Sequence, residues 1–182
     1  MKHVTVDTAV LITLIDDKPG ASVVRELLKR HKDGKINLFV SNRVFEHDTR
    51  KMRVAQVEKL RALLSDHNVE IESSGFRTDF SLLSGGDVLS GGSSERTSEE
   101  MFSFTKLVGK DPIEEYPASK TISRKLGDYD SLRDHFATKK DVFLTLDTKH
   151  YLATELRQKY QKDLGLVILS PAEFLENCNA ER

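Results

Sequence analysis

Apolar and polar positions change period several times along this chain, and each change marks an element. Residues 2–6, Lys-His-Val-Thr-Val, alternate and are β-branched at their end, which predicts a strand closing at Asp7. Residues 8–15 are apolar and open a helix, which Asp16-Asp17-Lys18-Pro19-Gly20 then interrupts. Ala21, Val24, Leu27 and Leu28 recur at helical spacing up to Arg30, and Asp33-Gly34 turns the chain into a second strand at 36–40. Ser41 suits the N-cap of a helix carrying Val44, Phe45 and Glu46. Residues 54–64 place Val57, Leu60 and Leu64 on one helical stripe, and 69–71 predict a third strand.

The pattern lapses between residues 73 and 118, where Gly85-Gly86 and Gly91-Gly92 lie among many serines. This segment reads as an insertion with a mobile middle and a docking end at Phe102 and Phe104. Its glycines form no phosphate loop, because no strand precedes them and no Gly-Lys-Ser/Thr follows. Regular structure resumes with a helix at 130–140, a buried strand at 141–146 ending at Asp147, a helix at 151–160 and a strand at 165–169. Pro171 then opens a final helix. Strands alternating with helices predict an α/β chain whose parallel sheet is covered on both faces.

Composition narrows the class. The chain has 182 residues, enough for one ordinary domain; 38% are hydrophobic, so a core is expected, and 31% are charged. Lys plus Arg number 28 against 29 for Asp plus Glu, a net charge of −1, so no overall basic field signals nucleic acid. Cys178 is the only cysteine, which excludes an internal disulfide and fits a reducing, cytoplasmic setting. No apolar run approaches the roughly 18 residues of a membrane span, and the first residues lack the apolar stretch of a secretory signal.

Ligands of open parallel sheets bind beyond the carboxyl ends of the strands. Asp7 and Asp147 fall there directly, and Glu46 lies about one helical turn past the second strand. Asp128 and Asp130 precede the helix that feeds the Asp147 strand. Carboxylates gathered at one edge repel unless a cation joins them. Oxygen ligands without a cysteine or histidine partner favour Mg²⁺ or Mn²⁺ over Zn²⁺. Competing roles are a turn carboxylate for Asp7, a solvated helix position for Glu46 and an N-cap for Asp128 or Asp130. His47, His135 and His150 show no ligand spacing and read as surface or supporting residues, and Cys178 as packing. Arg43, Arg50, Lys51 and Arg53, with Lys120, Arg124 and Lys125 and then Lys139, Lys140 and Lys149, supply cations for phosphate contacts. Phe45, Tyr129 and Tyr151 are the aromatic candidates for base stacking.

Val6-Asp7-Thr8-Ala9-Val10-Leu11, Ser41-Asn42-Arg43-Val44-Phe45-Glu46, and Asp128 with Asp130-Ser131-Leu132-Arg133-Asp134-His135-Phe136-Ala137 ahead of Phe143-Leu144-Thr145-Leu146-Asp147 together resemble the PIN-domain ribonucleases, which include the VapC-type toxins. The resemblance implies one PIN-like domain over residues 1–182, a three-layer α/β/α sandwich around a central parallel sheet. It implies four acids that bind one or two divalent metals and cleave RNA phosphodiesters. Asp7 matches the first acid, Glu46 the second and Asp147 the fourth. Asp128, nineteen residues before Asp147, matches the third, with Asp130 as the near alternative. Thr145 matches the family's hydroxyl beside the metal. In-line hydrolysis of this kind leaves a 5′-phosphate and a 3′-hydroxyl. The implied partners are RNA, a small antitoxin protein and a second copy of the chain. The 82-residue separation of Glu46 and Asp128 departs from compact members. Alternatives are a PIN-like module that binds RNA or protein without catalysis and a DNA-directed nuclease of the same fold. A dehalogenase-type phosphatase is set aside, because Thr8 and Ala9 stand where its second aspartate would fall.

Overall fold

A computed structural model describes residues 1–42, 45, 49, 52–72 and 131–180 of the chain. The segment 73–118, expected to be an insertion, lies outside these residues. The described elements run β1 (Lys2–Val6), α1 (Thr8–Ile15), α2 (Ala21–Lys32), β2 (Ile36–Ser41), α3 (Val54–Asp66), β3 (Glu70–Glu72), helical residues 131–137, β4 (Val142–Leu144), α4 (Thr154–Leu164), β5 (Ile168–Leu169) and α5 (Pro171–Ala180).

The strands form one five-stranded sheet in the order β3-β2-β1-β4-β5, and every pairing is parallel. From β1 the chain builds outward to β2 and β3, then returns to the other side of β1 for β4 and β5. The order therefore reverses between β1 and β4, and a crevice opens at such a point beyond the carboxyl ends of the two strands.

Both faces of β1, β2, β4 and β5 are buried over most of their length, as a parallel sheet requires, whereas the edge strand β3 is largely exposed. Val4, Val6, Leu38, Val40, Val142 and Leu144 belong to one core with residues of α1, α2, α3 and α5, including Leu11, Leu27, Leu60 and Phe174. Phe143 and Ile168, on alternate strand positions, belong to a second core with Leu132, Phe136, Tyr151, Tyr160 and Leu164. The result is an α/β architecture compatible with three layers. Among the described residues no helix is long and apolar enough to cross a membrane.

Several boundaries differ from the sequence expectation, and the last strand, expected at 165–169, is only Ile168–Leu169. The strand expected at 141–146 is shorter, Val142–Leu144, and Leu146 is 43% exposed where a buried position was expected. The chain leaves the ladder once Thr145 N–H has bonded to Leu169 O at 3.1 Å. The helix expected at 151–160 starts later and runs Thr154–Leu164, because Tyr151 is drawn into the second core edge-on to Phe143, with ring centroids 5.7 Å apart. Gly165, left-handed at φ 68°, then ends that helix as its C-cap. The helix expected at 130–140 ends at 137, and Lys139 adopts a positive φ of 51° two residues on.

Candidate metal site at the strand edge

Asp7 follows the last residue of β1 and caps α1. Its backbone is extended (φ −64°, ψ 137°), and its Oδ1 accepts the Ala9 N–H at 3.3 Å. Its own N–H bonds to Leu144 O at 2.9 Å, which ties the end of β1 to the end of β4. Val6 pairs with Leu144, so Asp7 and Thr145 come level on the two strands that flank the reversal. There the Thr145 hydroxyl donates to Asp7 Oδ2 at 2.8 Å and accepts the Asp147 N–H at 3.1 Å. One buried threonine thus links the two acids.

The Asp147 carboxylate folds back over the turn that follows it. Oδ1 accepts the N–H groups of Lys149 (2.9 Å) and His150 (3.0 Å), and Oδ2 meets His150 Nδ1 at 2.9 Å. The two carboxyls consequently titrate in opposite directions. Burial pushes Asp7 above the ordinary carboxylate range; the Thr145 and Ala9 bonds only partly offset this, and the negative charge of Asp147 pushes the same way as burial. Asp147 also meets a desolvation penalty, but the His150 imidazole and the two backbone N–H groups outweigh it, and its carboxyl lies below the usual range.

A second polar layer lies beside them. Register along β1 and β2 pairs Thr5 with Phe39, so Ser41 comes level with Asp7 on the other flank. The Ser41 hydroxyl donates to Asp134 Oδ2, and Asp134 is only 4% exposed. Next to it, His135 is 1% exposed and its Nδ1 lies 2.9 Å from the Thr5 hydroxyl. Helical residues 131–137 are therefore pinned across the carboxyl ends of β1 and β2. A cavity of about 380 Å³ lies elsewhere, beside Lys2 and Val142 at the starts of β1 and β4, and its lining includes none of these acids.

Of the residues expected to act, Asp7, Thr145, Asp147 and Lys149 come together at this edge, Lys149 exposed and contributing its backbone N–H to Asp147. Glu46, Asp128, Asp130, Arg43 and Arg50 lie outside the described residues, as do His47 and Tyr129. Several supporting assignments need correction. Phe45 and Tyr151 are core residues rather than exposed stacking surfaces. His135 is buried rather than superficial, whereas His150 is exposed and does support Asp147. Lys140 lies 3.7 Å from the centre of the Phe39 ring and 3.1 Å from Glu72, so its charge is already engaged. Asp134 is a buried acid of this edge that the sequence reading does not single out. The signal for it is a carboxylate within the helical pattern that buries Leu132, His135 and Phe136.

Asp7 and Asp147 offer hard oxygen donors, and a carboxylate raised by burial and by a like-charged neighbour gains from a cation. That donor chemistry fits Mg²⁺ or Mn²⁺. Among the described residues no three His, Cys, Asp or Glu side chains group as metal ligands, so these two acids are the described part of such a site. Comparison with protein-family models, with curated proteins and with solved structures returns no match.

Proposed function

We propose that this chain is a divalent-metal-dependent endoribonuclease of the PIN type, with Asp7 and Asp147 as metal ligands and Glu46 and Asp128 or Asp130 as the further acids. The observation that carries the reading is the pairing of Asp7 with Asp147 through Thr145, at the point where the strand order reverses. Held there, Mg²⁺ or Mn²⁺ supplies an activated water near neutral pH and offsets charge on the phosphate oxygens. The chain's own residues do the rest. Thr145 fixes the rotamer of Asp7, the turn at 148–150 fixes Asp147, and Lys149 adds an exposed cation two residues along the chain from Asp147 for a phosphate. A cytoplasmic toxin paired with a small antitoxin and assembling as a homodimer is the biological setting we attach to this reading.

One observation favours a rival. Asp147 already accepts three hydrogen bonds, as a carboxylate that merely orders a turn would, and this suits a module that binds RNA or protein without cleaving. Incubating the purified chain with Mn²⁺ or Mg²⁺ and end-labelled single-stranded RNA, with single-stranded DNA in parallel, separates the readings. The nuclease reading expects RNA products bearing 5′-phosphate and 3′-hydroxyl ends, and a loss of at least about a hundredfold in rate for Asp7→Asn. Undiminished cleavage by that variant removes the site, and a 2′,3′-cyclic phosphate product removes the mechanism. Cleavage of DNA alone moves the substrate to DNA.

A further inference from the structure

The two oxygens of Asp147 are restrained by different means. Oδ1 takes backbone N–H groups, which almost any residues at positions 149 and 150 would provide. Oδ2 takes the His150 ring nitrogen, a bond that depends on the side chain. An ionised carboxylate has no proton to give, so Nδ1 carries the proton and donates, and a neutral imidazole is sufficient. The terminal torsion of an aspartate is otherwise broad, and this second anchor is what sets the plane of the Asp147 carboxylate. His150 is itself exposed and belongs to neither core, so packing does not account for its pose. A carboxylate presents about four lone-pair sites. Three are occupied here, and the remaining one, on Oδ2, is the one available to a cation.

From these contacts we infer that His150 is a positioning residue, which orients the Asp147 carboxylate for the cation shared with Asp7. It acts in this way only if the metal-dependent reading above holds. Partners that hydrogen-bond a ligating carboxylate typically contribute tenfold to a hundredfold in metal affinity or activity.

Calorimetric titration of the full chain with Mn²⁺ alone, without RNA, tests His150 directly. His150→Ala is expected to weaken Mn²⁺ binding by about tenfold or more. His150→Asn, whose amide N–H takes the place of Nδ1, is expected to recover most of that loss. His150→Gln, whose amide instead reaches the place of Nε2, is expected to leave it unrecovered. Thermal melting in EDTA should show all three folded, as the exposure of the site implies. Wild-type affinity in His150→Ala overturns the assignment, and so does rescue by Gln but not by Asn. Failure of the wild-type chain to bind Mn²⁺ overturns the metal reading itself, and the role of His150 with it.

Discussion

At the scale of single residues, Asp7 is a carboxylate whose ionised form suits a cation better than it suits the fold. Burial and the neighbouring Asp147 charge both raise its pKa above the ordinary 3.8. Between that ordinary value and the raised one, the folded chain holds a proton that the unfolded chain has released. Stability from this group therefore falls as pH rises through the window. In EDTA at pH 7, Asp7→Asn should accordingly melt at a higher temperature than the wild type, with the difference shrinking as the pH approaches 4. Differential scanning calorimetry across that range checks the sign, and a lower melting temperature for the variant would show that the N-cap bond to Ala9 outweighs desolvation. A stabilising substitution that removes activity is the pattern expected where a site carries charge for function rather than for folding.

At the scale of elements, the carboxyl edge depends on helical residues 131–137 staying in place over the sheet. The anchors are two polar contacts, Ser41 to Asp134 and His135 to Thr5, set among the apolar contacts of Leu132 and Phe136. Removing one donor to a buried carboxylate costs about 1–3 kcal/mol. Ser41→Ala should thus lower the urea midpoint by that amount of stability without altering the slope, and a change under about 0.5 kcal/mol would mean that other contacts hold Asp134. The strands are legible in the sequence because their β-branched and apolar runs are short and bounded by turn residues, and Asp7 and Asp147 follow from where those runs stop. The anchors are not, since nothing in the one-dimensional pattern pairs Ser41 with a carboxylate 93 residues away. The start of α4 is misplaced by the pattern for a related reason: Tyr151, expected to open the helix, is buried from a turn, against Phe143.

For the whole molecule, the question is whether the two strand ends act as one site. The strand order makes Asp7 and Asp147 neighbours although 140 positions separate them in sequence, and the Thr145 hydroxyl bonds to the carboxylate of one and the backbone N–H of the other. A double-mutant cycle with Asp7→Asn and Asp147→Asn, read by thermal melting with and without Mn²⁺, measures this coupling. Without metal the two changes should oppose each other. The first relieves a buried charge, while the second weakens a turn cap and costs about 1 kcal/mol. Asp147 lies below its ordinary pKa, so the stability it contributes is present at neutral pH and is lost as pH falls through that lowered value. With Mn²⁺ at about 100 times its dissociation constant, the wild type should gain about 2.7 kcal/mol. If both carboxylates hold one cation, either single variant loses nearly all of that gain and the double variant loses no more. Independent sites would instead leave each single variant with part of the gain, and the two losses would add. That outcome would separate the strand ends into two unrelated carboxylates and leave the reversal of strand order without a bound ion to explain it.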